Sequence, residues 1–278
     1  MWTVGNKPTL AQALGDIDEL VNHCRGLNNG HKSMLAKLYS QYHLHRGYAI
    51  PGELRPLEDV KDIIHGQYKS KMTGSNNLAY VRRELRALVD LCPMCGINEP
   101  NTLDHYMNEG DYGQLACCRL NLVPVCGLCN RTKHDDPYTD FVHAFYDQHL
   151  DVDFLITTIT VKNNKVGMIF SIDQNALGNT DLARRTASQF AKLGLNDRLH
   201  KAGILFVNDM IGGFVCTNDR ELAASLLQKE TFLKVKNGRN DWRTSIVRGL
   251  RQCAAFNMQV VNAMRDPFNL RPINGGGS

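Results

Sequence analysis

Apolar residues recur at helical spacing across residues 1–90 in three separate runs. The first holds Leu14, Ile17, Leu20 and Val21, the second Leu35, Leu38, Tyr39 and Tyr42, and the third Leu78, Val81, Leu85 and Leu88. Each run predicts one buried face of an amphipathic helix. Pro51-Gly52 and Thr73-Gly74-Ser75-Asn76-Asn77 read as the loops between them. Over 153–173 the period changes to two, with apolar and β-branched residues at 154–161 and 166–170 flanking Lys162-Asn163-Asn164-Lys165, which predicts a hairpin. Helical patterning returns over 181–195, with Leu182, Phe190 and Leu193 inward, and again over 220–229 and 241–264. The fold class predicted is α+β, with a helical N-terminal region at 1–90, a cysteine-rich core at 91–140 and a mixed α/β region at 141–274 that carries the hairpin. Gly275-Gly276-Gly277-Ser278 reads as an appended linker.

The chain has 278 residues, 43% of them apolar, enough for one sizeable core or two modest ones, and two or three units are expected. No run of 18 apolar residues occurs, and Met1-Trp2-Thr3-Val4-Gly5-Asn6-Lys7 does not lead into a signal-peptide core. Neither membrane insertion nor secretion is predicted, and the cytoplasm is the expected compartment. A net charge of +4 is compatible with a polyanionic partner without demanding one. Arg82, Arg83 and Arg86 lie close together on the third helix, as a solvated face or a phosphate contact.

Nine cysteines in a chain of this length fit metal binding and buried thiols better than a disulfide framework. Four of them form two C-x-x-C knuckles, Cys92-Pro93-Met94-Cys95 and Cys126-Gly127-Leu128-Cys129. Two such knuckles suit tetrahedral Zn²⁺, with each sulfur about 2.3 Å from the ion, and a site with four protein ligands is closed to catalysis. The 30 residues between the pairs exceed a simple zinc-ribbon spacing, so further structure folds between them.

That insertion holds Asp104, His105 and Asn121, and Asn130 and His134 follow the second knuckle. Phosphodiester hydrolysis needs a deprotonated water and a Lewis acid on the departing oxygen. His105 can be the base, and Asp104 a hard oxygen ligand for Mg²⁺ or a similar ion. Adjacent strand residues point to opposite faces, so the two can do different work. Asn121 can return to hold the imidazole through a backbone or amide contact, or cap a turn before Leu122. Asn130 and His134 share a face if a helix starts there, and Asn130 can equally cap that helix. Lys133 reads as a phosphate contact or helix-surface residue, and His43, His45 and His65 as surface or core histidines.

Asp104-His105, then Asn121, then Cys126-Gly127-Leu128-Cys129-Asn130-Arg131-Thr132-Lys133 resemble the HNH endonucleases, with their ββα-metal core. The resemblance spans residues 91–136. It implies His105 as the general base, Asp104 as a ligand of one divalent metal (Mg²⁺ or Mn²⁺), Asn121 as the residue that constrains the histidine, and Asn130 as a further ligand, as in the H-N-N variants. An amide oxygen is a good ligand for a hard cation, where imidazole would have favoured zinc. His134 matches the second histidine of an i, i+4 pair in colicin-type members and is a candidate additional ligand. Leu103-Asp104-His105-Tyr106, Asn121-Leu122-Val123-Pro124, Phe141-Val142-His143-Ala144-Phe145-Tyr146 and the hairpin together look like the HNH subunits encoded beside ATPases in bacterial anti-phage systems of the Septu and retron type. That likeness implies an effector that cuts nucleic acid, DNA in preference to RNA, in concert with an ATPase partner. The competing expectation is a nonenzymatic zinc-ribbon module that binds nucleic acid or protein without cleaving it.

Overall fold

Thr9 and Asn28 start the first two helices. Thr9 accepts a hydrogen bond from the Gln12 amide while the Gln12 side chain returns to the Thr9 amide, a capping box that opens α1 (Leu10–Asn22). The Asn28 carboxamide receives the Gly30 and His31 N–H groups and opens α2 (Asn29–Leu44). The two helices pack against each other, and Ile17, Leu20 and Val21 of α1 and Leu35, Leu38, Tyr39 and Tyr42 of α2 are buried as their spacing predicts, while Leu14 is half-buried. The structure, a computed structural model, describes residues 2–48, 54–72 and 77–266. The expected loops at Pro51-Gly52 and at 73–76, and the linker at 275–278, lie outside the described residues.

A 3₁₀ turn (Arg55–Val60) leads into α3 (Lys61–Gln67), a π turn (Tyr68–Met72) and α4 (Ala79–Arg86). α4 buries Val81 and Leu85 but stops at Arg86, so Leu88 lies beyond the helix and is only half-buried. Next come strand β1 (Thr102–His105), strand β2 (Leu122–Val125) and helix α5 (Gly127–Lys133). The strands pair antiparallel, with Asp104 opposite Val123 and His105 opposite Leu122. After α5 the chain folds back and buries Phe141, His143, Phe145 and Tyr146. All of this belongs to one compact unit, residues 2–148, and the rest of the chain forms a second. The segments 1–90 and 91–140, expected as separate regions from the pattern along the chain, fall within this one unit, which extends to residue 148.

The second unit is built on the expected hairpin, β3 (Leu155–Lys162) and β4 (Lys165–Ile172). Asn163 and Asn164 occupy the turn with φ of 50° and 58°, the left-handed conformation a two-residue hairpin turn requires. Helices follow as α6 (Asp181–Lys192), α7 (Leu195–Gly212), α8 (Asp219–Asn237), α9 (Trp242–Gln252) and α10 (Met258–Arg265). α7 was not predicted, although Leu195, Leu199, Val207 and Ile211 are buried on it at helical spacing. Its series passes through Gly203, where a Cβ would lie 2.4 Å from the Met168 sulfur, so the helix meets the hairpin through a residue that carries no apolar signal. The expected helix at 241–264 is two helices, because Asn257 caps a new start by accepting the Val260 N–H. Among the described residues no helix is long and apolar enough to cross a membrane.

One buried ion pair ties α1 to the approach to β2. Arg119 directs its guanidinium fork at the Asp16 carboxylate, with the Nη2 contact at 2.7 Å, and reaches Glu84 of α4 at 2.9 Å. Asp16 and Arg119 are each 3% exposed, so removing either strands a buried charge. Arg119→Met should lower stability by about 3–5 kcal/mol, read as a fall in the urea midpoint. The double variant Asp16→Leu/Arg119→Met should lose less, since no charge is left behind.

Candidate active site and metal centre

The four knuckle sulfurs lie within 4.8 Å of one another, and all four cysteines are buried. Cys95 Sγ and Cys126 Sγ are 3.9 Å apart. Four sulfurs about 2.3 Å from one tetrahedral ion would be about 3.8 Å apart, so the cluster could hold a zinc ion with little rearrangement. Local structure sets up this approach. The first knuckle turns at Gly96, whose φ of 64° lets its N–H bond back to the Cys92 carbonyl. The second is the start of α5, with Cys126 as the N-cap and Cys129 one turn in. Gly127 N–H is anchored by the Asn101 side chain at 2.7 Å, just ahead of β1.

β1 presents Asp104 and His105 next to α5. Both border a cavity of about 340 Å³, shared with Tyr68, Glu109, Asn130 and His134. Asp104 is 3% exposed, and its Oδ1 receives the Lys133 ammonium at 2.9 Å. Its Oδ2 is buried and has no hydrogen-bond partner. A buried carboxylate oxygen without a donor is costly and marks a place for a cation or water. Asn130 uses its amide nitrogen on the Leu103 carbonyl at 3.4 Å, which leaves its oxygen as a second hard donor on the same cavity. Asp104 and Asn130 therefore bring two oxygen donors to one cavity, the donor type that hard cations prefer.

His105 has a defined tautomer. Its Nε2 lies 3.0 Å from the Ala116 carbonyl, which can only accept, so Nε2 carries the hydrogen. In the neutral ring the lone pair is then on Nδ1. Burial, foremost, pushes the imidazole below its ordinary pKa, against the pull of the Glu109 charge and the Ala116 bond, so the neutral form is favoured at pH 7. The Tyr68 ring meets the imidazole edge-on, with centroids 4.4 Å apart. The result is a half-buried imidazole of fixed orientation that shares a cavity with two oxygen donors.

Three expectations need correction. Asn121 does not touch the imidazole. It is fully buried, its oxygen accepts Met107 N–H at 2.9 Å and Tyr42 O–H at 3.0 Å, and its amide nitrogen donates to the Met107 carbonyl at 3.1 Å. Its own carbonyl receives Tyr106 N–H, so it fixes the backbone that leaves His105 instead of the ring. Lys133 is not a surface residue: at 1% exposure it also donates to the carbonyls of His105 at 2.8 Å and Tyr106 at 3.3 Å. His134 does not continue the α5 face, because it caps the helix with φ 44° and leaves its ring exposed, 2.9 Å from Asp135, at the cavity rim.

Sequence reasoning passed over Glu109 and Tyr68 and read His65 only as a surface or core histidine. Glu109 lies four residues after His105 in a turn held by Asn108 and Asp111. Tyr68 and His65 come from α3 and its extension, and no motif spacing links them to β1. No family model, curated protein or solved structure matches this chain.

The metal centre makes a direct prediction. The purified chain should carry one equivalent of zinc by elemental analysis. Cys126→Ser should lose that zinc and lower the melting temperature, because a structural zinc contributes its binding energy to folding. Full stability without any bound metal would contradict the assignment.

Proposed function

We propose that the chain is a metal-dependent endonuclease of HNH type that hydrolyses phosphodiester bonds in nucleic acid, DNA in preference to RNA. The observation that carries this reading is the pairing, in one cavity, of a buried Asp104 oxygen without a hydrogen-bond partner and a His105 imidazole held through Nε2, whose Nδ1 makes no hydrogen bond. The order of Asp104, His105, Asn121 and Asn130 within the cysteine frame, which resembles the HNH family, supports it independently.

In this reading Asp104 and Asn130 hold the divalent cation. When bound, the cation supplies Lewis-acid stabilisation of the phosphate and the departing oxygen. His105 Nδ1 takes a proton from the attacking water. Ala116 keeps the proton on Nε2 and so keeps Nδ1 basic. Lys133 occupies Asp104 Oδ1 and leaves Oδ2 for the cation. Asn121 holds the main chain at Tyr106 and Met107, so the imidazole stays in place without being blocked. Work as the effector of an anti-phage system beside an ATPase is supported by the sequence likeness alone and extends the same proposal.

The test is incubation of plasmid DNA with the purified chain in Mg²⁺, Mn²⁺ or EDTA. Cleavage should need the cation. Asp104→Ala and His105→Ala should each reduce the rate by about 10²–10⁴-fold while leaving the zinc content unchanged. Binding of DNA with no cleavage in either metal would favour the nonenzymatic zinc-ribbon module. Undiminished cutting by His105→Ala would remove His105 as the base.

A further inference from the structure

Arg82, Arg83 and Arg86 of α4 border a hollow of about 490 Å³ beside the segment that enters β1. Arg86 is four residues after Arg82 and three after Arg83, so the three share one side of the helix. Arg82 Nη2 donates to the Asn101 carbonyl and Arg86 Nε to the Pro100 carbonyl, each at 3.3 Å. A guanidinium carries five N–H donors, so these single bonds fix the two heads and leave most of their donors open. The Arg83 side chain is exposed and makes no hydrogen bond or ion pair among the described residues. Asp90 and Glu99 border the same hollow, yet among the described residues neither forms an ion pair with an arginine there. Like charges at this spacing destabilise a helix, so the fold alone does not call for all three. The row continues toward the candidate active site. Asn101, whose carbonyl takes Arg82, holds its side-chain oxygen 3.4 Å from the point where a Gly127 Cβ would stand, and Arg131 Nη1 lies 3.2 Å from that point. Arg131 is exposed and borders the cavity of Asp104 and His105. α4 itself packs on β1, on β2 and on the π turn that carries Tyr68.

We propose that Arg82, Arg83, Arg86 and Arg131 form a track for the sugar-phosphate backbone of DNA, leading to the cavity of Asp104 and His105. Where the track leads rests on the nuclease reading, whereas the binding itself does not. The guanidinium is planar, always charged and weakly hydrated, and its parallel N–H groups match two phosphate oxygens at once. Arg82 and Arg86 are held in place by the carbonyls ahead of β1, so binding has less side-chain freedom to remove there. An acidic polypeptide could satisfy the same charges, but it has no phosphodiester to offer the cavity into which the row leads. Asp90 and Glu99 lower the local positive potential without occupying the guanidinium donors. Contacts to phosphate carry no sequence information, so the track binds without sequence preference. Each neutralised phosphate releases condensed counterions, which makes the affinity fall as salt rises.

The experiment titrates a short fluorescein-labelled DNA duplex with the full chain over a range of NaCl concentrations, without added divalent cation, and reads Kd by anisotropy. The variants are Arg83→Gln, Arg83→Gln/Arg131→Gln, Arg83→Lys and, as an exposed arginine of the second unit, Arg220→Gln. Arg83→Gln should weaken binding about 5–10-fold near 0.1 M NaCl and reduce the slope of log Kd against log[NaCl] by about 0.9. The double variant should reduce that slope by about 1.8. Arg83→Lys should keep the slope, because the charge stays, and Arg220→Gln should change neither quantity. The urea midpoint of Arg83→Gln should match the parent's, since that side chain has no internal partner to lose. A double variant with the affinity and slope of a DNA-binding parent would overturn the track, whether or not the parent cuts. Binding of polyglutamate in preference to DNA would overturn it in favour of an acidic protein partner. A parent that binds DNA through these arginines and cuts nothing in Mn²⁺ would support the track and remove the nuclease reading alone.

Discussion

Lys133 buries its ammonium where α5 meets β1, and its three protons go to Asp104 Oδ1 and to the carbonyls of His105 and Tyr106. Taking that charge out of water costs several kcal/mol, and only a full set of acceptors offsets it. The set is complete only when β1 ends beside the last turn of α5. The ammonium therefore sets the distance between helix and strand, and that distance determines where Asn130, one turn back on α5, lies relative to Asp104. It also divides the Asp104 carboxylate into two oxygens with different roles, one neutralised by Lys133 and one buried with no donor. A smaller or uncharged side chain at 133 would leave Oδ1 without its ammonium donor as well.

The residues on α5 explain why this helix gives no amphipathic signal. Cys126, Cys129, Asn130 and Lys133 follow i, i+3, i+4, i+7 spacing and form one stripe, yet the stripe carries thiols, an amide and an ammonium. Leu128 faces outward at 44% exposure while Lys133 is 1% exposed, the reverse of the usual arrangement. A seven-residue helix has little stability of its own, so its inner face must be held by something other than apolar burial. The sulfur cluster holds its first turn and the ion pair holds its last.

The same logic separates what could be read from the sequence from what could not. Burial of Leu35, Leu38, Tyr39 and Tyr42 and the Asn163-Asn164 turn followed from periodicity and turn chemistry, because those signals are local. The cysteine cluster was legible as well, since metal geometry restricts ligand spacing. Asp104, His105 and Asn130 fall in order within a short frame, and all three border one cavity. Asn121, Lys133 and Glu109 were misread or missed for a single reason: their partners are backbone groups or residues distant in sequence. Nothing in the letters shows that Lys133 points inward, that Asn121 serves Met107, or that a carbonyl at Ala116 selects the imidazole tautomer. The helix α7 was lost because Gly203, at its contact with the hairpin, has no side chain to register in a hydrophobic pattern.

That dependence on backbone groups bears on how the site tolerates substitution. The Ala116 carbonyl and the Met107 peptide are supplied whatever side chain occupies those positions, so the tautomer and the placement of His105 follow from the path of the loop between β1 and β2. The loop path is in turn held by Asn121 at its core and by Arg119, whose pairing with Asp16 anchors the approach to β2 on α1. A change at Asp16 lies far from His105 in sequence, yet it would act on the imidazole through this chain of contacts by letting the 119–121 turn shift. Loss of function at such a position would therefore be accompanied by loss of stability, whereas Asp104→Asn, which keeps an oxygen for Lys133, would separate the two. The two kinds of residue can be told apart by measuring both quantities on the same variant.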